Sequence, residues 1–175
     1  MTAIIEKAKP IKLAIFDVDG VLTTGSLCYS KDGIEFKSFH VHDGLGIKLL
    51  QKTGITVAII TAQRSAVVTR RMQDLGIEHY YEGQEDKLPV YEALKQKLQL
   101  DDLDIAYMGD DLPDLPLLCR VGLAITVSHA PQIMQQHADW VASKKAGKGA
   151  VREACELIMQ AQGTYDTVLQ SYLKR

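Results

Sequence analysis

The sequence is poor in features that mark several large protein classes. Its 175 residues include three cysteines, Cys28, Cys119 and Cys155, and no two of them form a CxxC. That spacing suggests neither a zinc site nor a disulfide framework, and reduced thiols suit a cytoplasmic chain. Aromatic residues make up 6% of the chain, with a single tryptophan, Trp140, read as packing or interface surface rather than a stacking platform. Neither sign of charge dominates. Twenty Lys+Arg against 22 Asp+Glu leave a formal −2, so no broad positive field invites nucleic acid. No apolar run approaches the ~20 residues that span a bilayer, and the opening "MTAIIEKAKP" lacks the apolar core of a signal peptide. A cytoplasmic protein with neither nucleic acid nor membrane as partner is expected. No linker, repeat or low-complexity tract divides residues 1–175, a length that suits one domain.

What the chain does have is a rhythm. "IKLAIF" (11–16), "ITVAII" (55–60), "DIAYMG" (104–109) and "GLAIT" (122–126) are short apolar runs that end in polar residues or glycine. Such runs predict strands covered on both faces. Between and after them lie candidate helices at 43–54, 65–76, 86–99 and 150–162, with Gly54 and Gly76 placed to close the first two in the left-handed conformation. The alternation predicts an α/β fold, a doubly wound parallel sheet with ligands at the carboxyl ends of its strands. One segment departs from it. "SLCYSKDGIEFKSFHVHDG" (26–44) alternates polar and apolar residues around "KDG", which predicts a β-hairpin over 26–39 standing as a flap over that edge. In the tail, 163–175, Tyr165, Val168, Leu169 and Tyr172 are spaced for a short amphipathic helix.

The strand ends carry the chemistry. The first gives Asp17 and Asp19, the second Thr61, and the third Asp110, Asp111 and Asp114 in "GDDLPD". Carboxylates gathered at one sheet edge repel unless a cation neutralises them or some hold protons. Hard oxygen ligands in that number suit Mg²⁺. Lys87 stands at the predicted start of a helix, where the helix dipole disfavours a cation; a phosphate and an acidic cluster facing it would explain its place, against the plainer reading of a solvated lysine. "DxDG" also opens calcium loops, but no glutamate follows at the twelve-residue spacing. His40 and His42 fall on one face of the predicted hairpin, while His79, His129 and His137 lack partners at ligand spacing. "KKAGKGA" (144–150) reads equally as a phosphate cradle before a helix or as a solvated loop.

"DVDGVLT" after an apolar strand, Thr61 after the second, Lys87 and "GDDLPD" together resemble the four ordered motifs of the haloacid dehalogenase superfamily of phosphohydrolases. "FHVHDGLGIKLL" and "GKGAVREACELIMQAQG" narrow the resemblance to its small capless branch, which acts on phosphorylated keto-sugar acids. The resemblance covers nearly all of residues 11–163. It implies a Rossmann-like fold with no separate cap domain, Mg²⁺ as cofactor, and a sugar-acid phosphate as substrate, 3-deoxy-D-manno-octulosonate 8-phosphate or a nine-carbon ulosonic acid 9-phosphate. It implies Asp17 as nucleophile, Asp19 as general acid and base, and Thr61 and Lys87 as ligands of the transferring phosphoryl group. Mg²⁺ would be held by Asp17, the main-chain carbonyl of Asp19, and Asp110, with Asp111 and Asp114 orienting the metal shell or Lys87. His42, Asp43, Gly44, Arg64, Lys148 and Arg152 would bind substrate.

Two departures stand out. The usual "TGR" reads "TAQRS" here, displacing the arginine to Arg64, and His42 stands where relatives carry Lys or Arg. An open, capless site further implies a homotetramer in which the flap and a neighbour's tail help enclose the substrate. A reading of another class, a non-catalytic oligomerisation module partnering a sugar nucleotidyltransferase, has no use for Asp17, Asp19, Lys87 and Asp110 together.

Overall fold

The structure, a computed structural model, describes residues 2–173; the last two residues of the predicted tail lie outside the described residues. A short helix, α1 (Thr2–Ala8), precedes β1 (Leu13–Phe16) and the hairpin strands β2 (Cys28–Tyr29) and β3 (Glu35–Phe36). Then follow α2 (Val41–Lys52), β4 (Thr56–Ile60), α3 (Ala66–Leu75), β5 (His79–Tyr81), α4 (Leu88–Leu98), β6 (Ile105–Met108), α5 (Leu115–Leu118) and β7 (Leu123–Val127). The chain continues with α6 (Gln132–His137), β8 (Trp140–Ala142), α7 (Ala150–Ala161) and α8 (Tyr165–Leu173).

Six strands form one parallel sheet in the order β5-β4-β1-β6-β7-β8. Every residue of β1, β6 and β7 is buried, because helices cover both faces of a parallel sheet. One row of helices has α2 packed on α7 with α1 and α3 beside them; α4, α5 and α6 form another. The crossovers carry these rows to opposite faces, as the reversal of strand order about β1 requires when they share one hand. The chain runs outward from β1 through β4 to β5, then returns to β1's other side and runs through β6 to β8. The reversal leaves a crevice at the carboxyl end of β1, where an open α/β sheet binds its ligands.

The sequence misses five elements, among them the short helices α5 and α6 of four and six residues. α1 carries no strong start signal, and β5 and β8 are three-residue strands of mostly half-buried residues at the sheet's two edges, too short to show a run or an alternation. Trp140 lies on β8, half-buried against the core. The hairpin is shorter than its pattern suggests, pairing Cys28 with Phe36 and Tyr29 with Glu35. Its turn is held by the Ser30 hydroxyl, which accepts from the backbone of Asp32 and Ile34, and by Gly33 at φ +78°. His40 and His42 do not share a strand. His40 sits at the N-terminal boundary of α2 without a capping hydrogen bond and His42 lies in its first turn, since the helical spacing of buried Gly46, Ile47 and Leu50 outweighs the alternation before it. The tail forms the expected helix, with Tyr165 and Val168 against the core and Leu169 and Tyr172 exposed.

Candidate active site

Asp17 leaves the carboxyl end of β1 with its N–H donated to Met108 of β6 at 3.0 Å. Thr61 leaves β4, donating its backbone N–H to Tyr81 at 3.0 Å. Asp110 to Asp114 leave β6, and Lys87 stands at the N-terminal boundary of α4. Two glycines let these loops interlock. A Cβ on Gly20, which sits at φ +90°, would lie 2.0 Å from Asp110 Oδ2, and one on Gly109 would lie 2.4 Å from the Asp114 side chain.

Lys87 is the hub. Its residue is 3% exposed, and its ammonium donates to Asp17 Oδ1 at 2.8 Å, to Asp114 Oδ1 at 2.5 Å and to the Tyr107 hydroxyl at 3.3 Å. The Tyr107 hydroxyl itself donates to Asp114 Oδ1. The other Asp114 oxygen accepts from the backbone N–H of Asp110 at 2.9 Å and of Asp111 at 3.3 Å. Asp114 is thereby fully occupied, and its work is to fix Lys87 and the Asp110 loop. Asp111, expected to share that work, is exposed and instead caps the turn that follows it, accepting from Leu112 N–H at 2.8 Å. Burial depresses the Lys87 pKa, but Asp17 and Asp114 override it and the net shift is upward, so the ammonium stays charged.

Asp17, Asp19, Thr61, Lys87, Asp110 and Asp114, with Gly25, Ala62, Gln63, Asp111 and Pro113, line a cavity of about 280 Å³. Asp17, Asp110 and Asp114 each bring an oxygen within 4.8 Å of the others. With Asp114 committed to its hydrogen bonds, Asp17 and Asp110 are the carboxylates free for a metal. Two carboxylates completed by water and phosphate oxygens are a donor set that fits Mg²⁺. Their electrostatics point the same way. Burial, then Asp17 and Asp114, push the Asp110 pKa up to about 7. Burial also raises Asp17, with Lys87 opposing it and Asp114 adding to it. Both carboxyls titrate near 4 in an unfolded chain. The metal-free fold therefore loses stability as pH climbs from about 4 through 7, and a divalent cation offsets the loss. Thermal unfolding with Mg²⁺ and with EDTA checks this. The rise in Tm on adding Mg²⁺ should be larger at pH 8 than at pH 6, and an equal rise would count against a cation on these carboxylates.

Comparison with known proteins agrees with this geometry. Residues 81–154 match the haloacid dehalogenase-like hydrolase family. Over 163 residues, 93% of this chain and 87% of the relative, the sequence is 43% identical to the 3-deoxy-D-manno-octulosonate 8-phosphate phosphatase of Escherichia coli K12. The chain belongs to the haloacid dehalogenase-like hydrolases, in this phosphatase branch. Among solved structures, the Moraxella catarrhalis phosphatase in complex with magnesium ion, phosphate ion and KDO is 44% identical, with a TM-score of 0.96 over 98% of this chain and 99% of that one. The cobalt-bound phosphatase of Haemophilus influenzae is 40% identical, with a TM-score of 0.90 over 95% and 99%.

The residues this hydrolase was expected to use on the rest of its substrate are not gathered as the phosphate-end residues are. Asp43 is the clear correction. It is 1% exposed, and its carboxylate accepts from the backbone N–H groups of Gly149 at 3.2 Å and Arg152 at 2.8 Å. It caps α7, whose own N-cap, Gly149 at φ +106°, has no side chain to do so. Asp43→Ala should destabilise the fold by about 2 kcal/mol, from a lost cap and orphaned N–H groups, as read by urea unfolding; an unchanged midpoint would refute the role. Arg152 is likewise engaged, with Nε 2.6 Å from Glu156. It lines a separate hollow of about 180 Å³ with Leu45, Leu49, Tyr165, Val168, Leu169 and Tyr172, not the acidic cavity. Gly44 is buried against Arg71, whose guanidinium a Cβ would strike at 2.2 Å, so it is a packing glycine. His42 is exposed, its ring 4.9 Å from that of His40. Arg64 is exposed and lies over Gly83. Lys148 is exposed on a loop whose Gly147 packs on the backbone of Thr23 and Thr24, beside the Asp19 turn.

Sequence reasoning missed two residues here. Tyr107 is hidden in the apolar run of β6, where nothing announces its hydroxyl. Lys37, in the hairpin, reaches Asp19, and no local pattern signals a contact 18 residues away.

Proposed function

We propose that this chain is a Mg²⁺-dependent phosphomonoesterase that hydrolyses 3-deoxy-D-manno-octulosonate 8-phosphate to the free sugar acid and inorganic phosphate. One observation carries the reading: Asp17 is held by buried Lys87 at the open end of β1, in a chain 44% identical over nearly its whole length to an enzyme seen with magnesium, phosphate and KDO. That likeness favours the eight-carbon ester over a nine-carbon one. Lys87 and Asp17 weigh against a non-catalytic module, because a structural role does not require a buried charge cluster.

Asp17 attacks phosphorus and the bond to the sugar oxygen breaks, with Asp19 supplying the proton that oxygen needs. Water then attacks the aspartyl-phosphate, gives its proton to Asp19, and phosphate leaves Asp17. Lys87 holds the nucleophile in place and, with Thr61, meets the charge developing on the phosphoryl oxygens. Asp17, the Asp19 carbonyl and Asp110 would hold Mg²⁺, which would supply Lewis-acid stabilisation of that charge. His42, Arg64 and Lys148 remain the candidate contacts for the sugar acid.

The whole chain, 1–175, acts as one domain with residues 26–39 as flap and 163–175 as tail. The work is cytoplasmic, feeding lipopolysaccharide synthesis; no helix among the described residues is long and apolar enough to cross a membrane. A homotetramer is supported by the flap and the start of α2, where Leu27, Tyr29, Ile34, Phe36 and Val41 are all more than half exposed. Apolar surface gathered in that way marks an interaction site, and sedimentation at the mass of one protomer would remove the tetramer. The function is tested by phosphate release from the eight- and nine-carbon esters with Mg²⁺ and with EDTA. Fast, EDTA-sensitive turnover of the eight-carbon ester is expected. Preference for the nine-carbon ester would move the substrate, and silence on both would overturn the reading.

A further inference from the structure

Lys37 comes to the acidic cavity from the flap, one residue beyond β3. Its side chain is 2% exposed, rare for a lysine without a committed partner. Its ammonium donates to Asp19 Oδ1 and lies 3.4 Å from Glu35 Oε1. Glu35 accepts in turn from the hydroxyl of Ser65, the N-cap of α3. The Thr23 hydroxyl donates to the same Asp19 oxygen at 3.3 Å. The second oxygen, Oδ2, is buried with no hydrogen-bond partner among the described residues. Asp19 thus has one oxygen clasped by an ammonium and a hydroxyl and the other bare, in a residue that lines the acidic cavity.

We infer that Lys37 is a positioning residue for Asp19. By clasping Oδ1 it fixes the carboxyl plane and assigns all proton traffic to Oδ2. The inference rests on the phosphatase reading above and deepens it. An oxygen already facing two donors has no room for a proton, so the acid's proton sits on Oδ2. When the Asp17 oxygen bonds to phosphorus and the P–O bond to the sugar breaks, that proton passes from Oδ2 to the departing sugar oxygen. When water attacks the aspartyl-phosphate, its proton returns to Oδ2 as the P–O bond to Asp17 breaks. The lysine takes no proton and touches no reacting atom. Because it belongs to the flap, Asp19 is correctly aimed only when the flap is seated, and the Glu35–Ser65 contact seats the flap on the loop that carries Thr61.

If Lys37 only tethered the flap, its loss would weaken every substrate alike. The test uses full-length protein with Mg²⁺, comparing wild type, Lys37→Met and Lys37→Arg in rapid mixing on two esters. The sugar 8-phosphate leaves as an alkoxide that must be protonated; p-nitrophenyl phosphate leaves as a stable anion that needs no proton. In Lys37→Met the first-turnover cleavage of the sugar ester should fall ~10²-fold while the nitrophenolate burst stays within ~3-fold, and Lys37→Arg should recover most of the loss. Equal losses on the two esters, or a raised KM with kcat unchanged, would overturn the inference alone. Wild type inactive on both esters would overturn the phosphatase reading and this inference with it.

Discussion

Asp17→Asn is expected to lower turnover of the sugar phosphate by roughly 10⁴-fold or more, the scale on which enzymes lose rate when their nucleophile is removed. The amide keeps the shape of the carboxylate and an oxygen for the Lys87 ammonium to meet at Oδ1, so the loss belongs to chemistry and not to folding. Burial and Asp114 both work against a charge on Asp17. The variant without metal should therefore be no less stable than wild type at pH 8. Phosphate release and thermal unfolding on the same preparation separate the two effects. Residual activity within a hundredfold of wild type would show that another group attacks phosphorus.

Lys87→Met should be the most destabilising single change in the site. The ammonium is the cation that hydrogen-bonds both Asp17 and Asp114. Without it two buried carboxylates face each other and a tyrosine hydroxyl, and breaking a buried ion pair from one side costs about 3–5 kcal/mol. The pH dependence has a definite sign. Asp17 is already raised in the fold, and losing its cation raises it further. The penalty falls on the ionised form, so it is full above the folded pKa and fades as pH drops and the carboxyl takes a proton. Urea unfolding should show a large deficit at pH 8 and a smaller one at pH 5; a deficit independent of pH would mean that the lysine's hydrocarbon stem, not its charge, supplies the stability.

How much of this the sequence announced depends on how local each signal is. The central strands are short apolar runs buried on both faces, and composition reveals such runs directly. Asp17, Asp19, Thr61 and Asp110 were legible because each lies in the turn that follows a strand, where an α/β sheet exposes its loops. Lys87 was legible because a cation opening a helix needs an explanation. The edge strands β5 and β8 were not, since three half-buried residues carry no period. Asp43 misled for a physical reason: the resemblance implied a substrate contact there, yet its partners, Gly149 and Arg152, stand 106 and 109 residues away. Tyr107 and Lys37 fail the same way. One looks like core and the other like flap surface, and only tertiary contact gives their polar atoms a purpose.

The central place of β1 has a consequence for how the protein is made. Its two sheet neighbours are β4 and β6, both later in the chain, and Lys87 follows Asp17 by 70 residues. At ~5–20 residues per second of synthesis, the nucleophile leaves the ribosome roughly 4 to 14 s before the cation that neutralises it. Through that interval the strand has no partner on its β6 side and Asp17 has no Lys87 beside it. A strand made early is thus among the last to settle. The two aspartates that end it keep that apolar strand flanked by charge while it waits, a guard against pairing with the wrong edge.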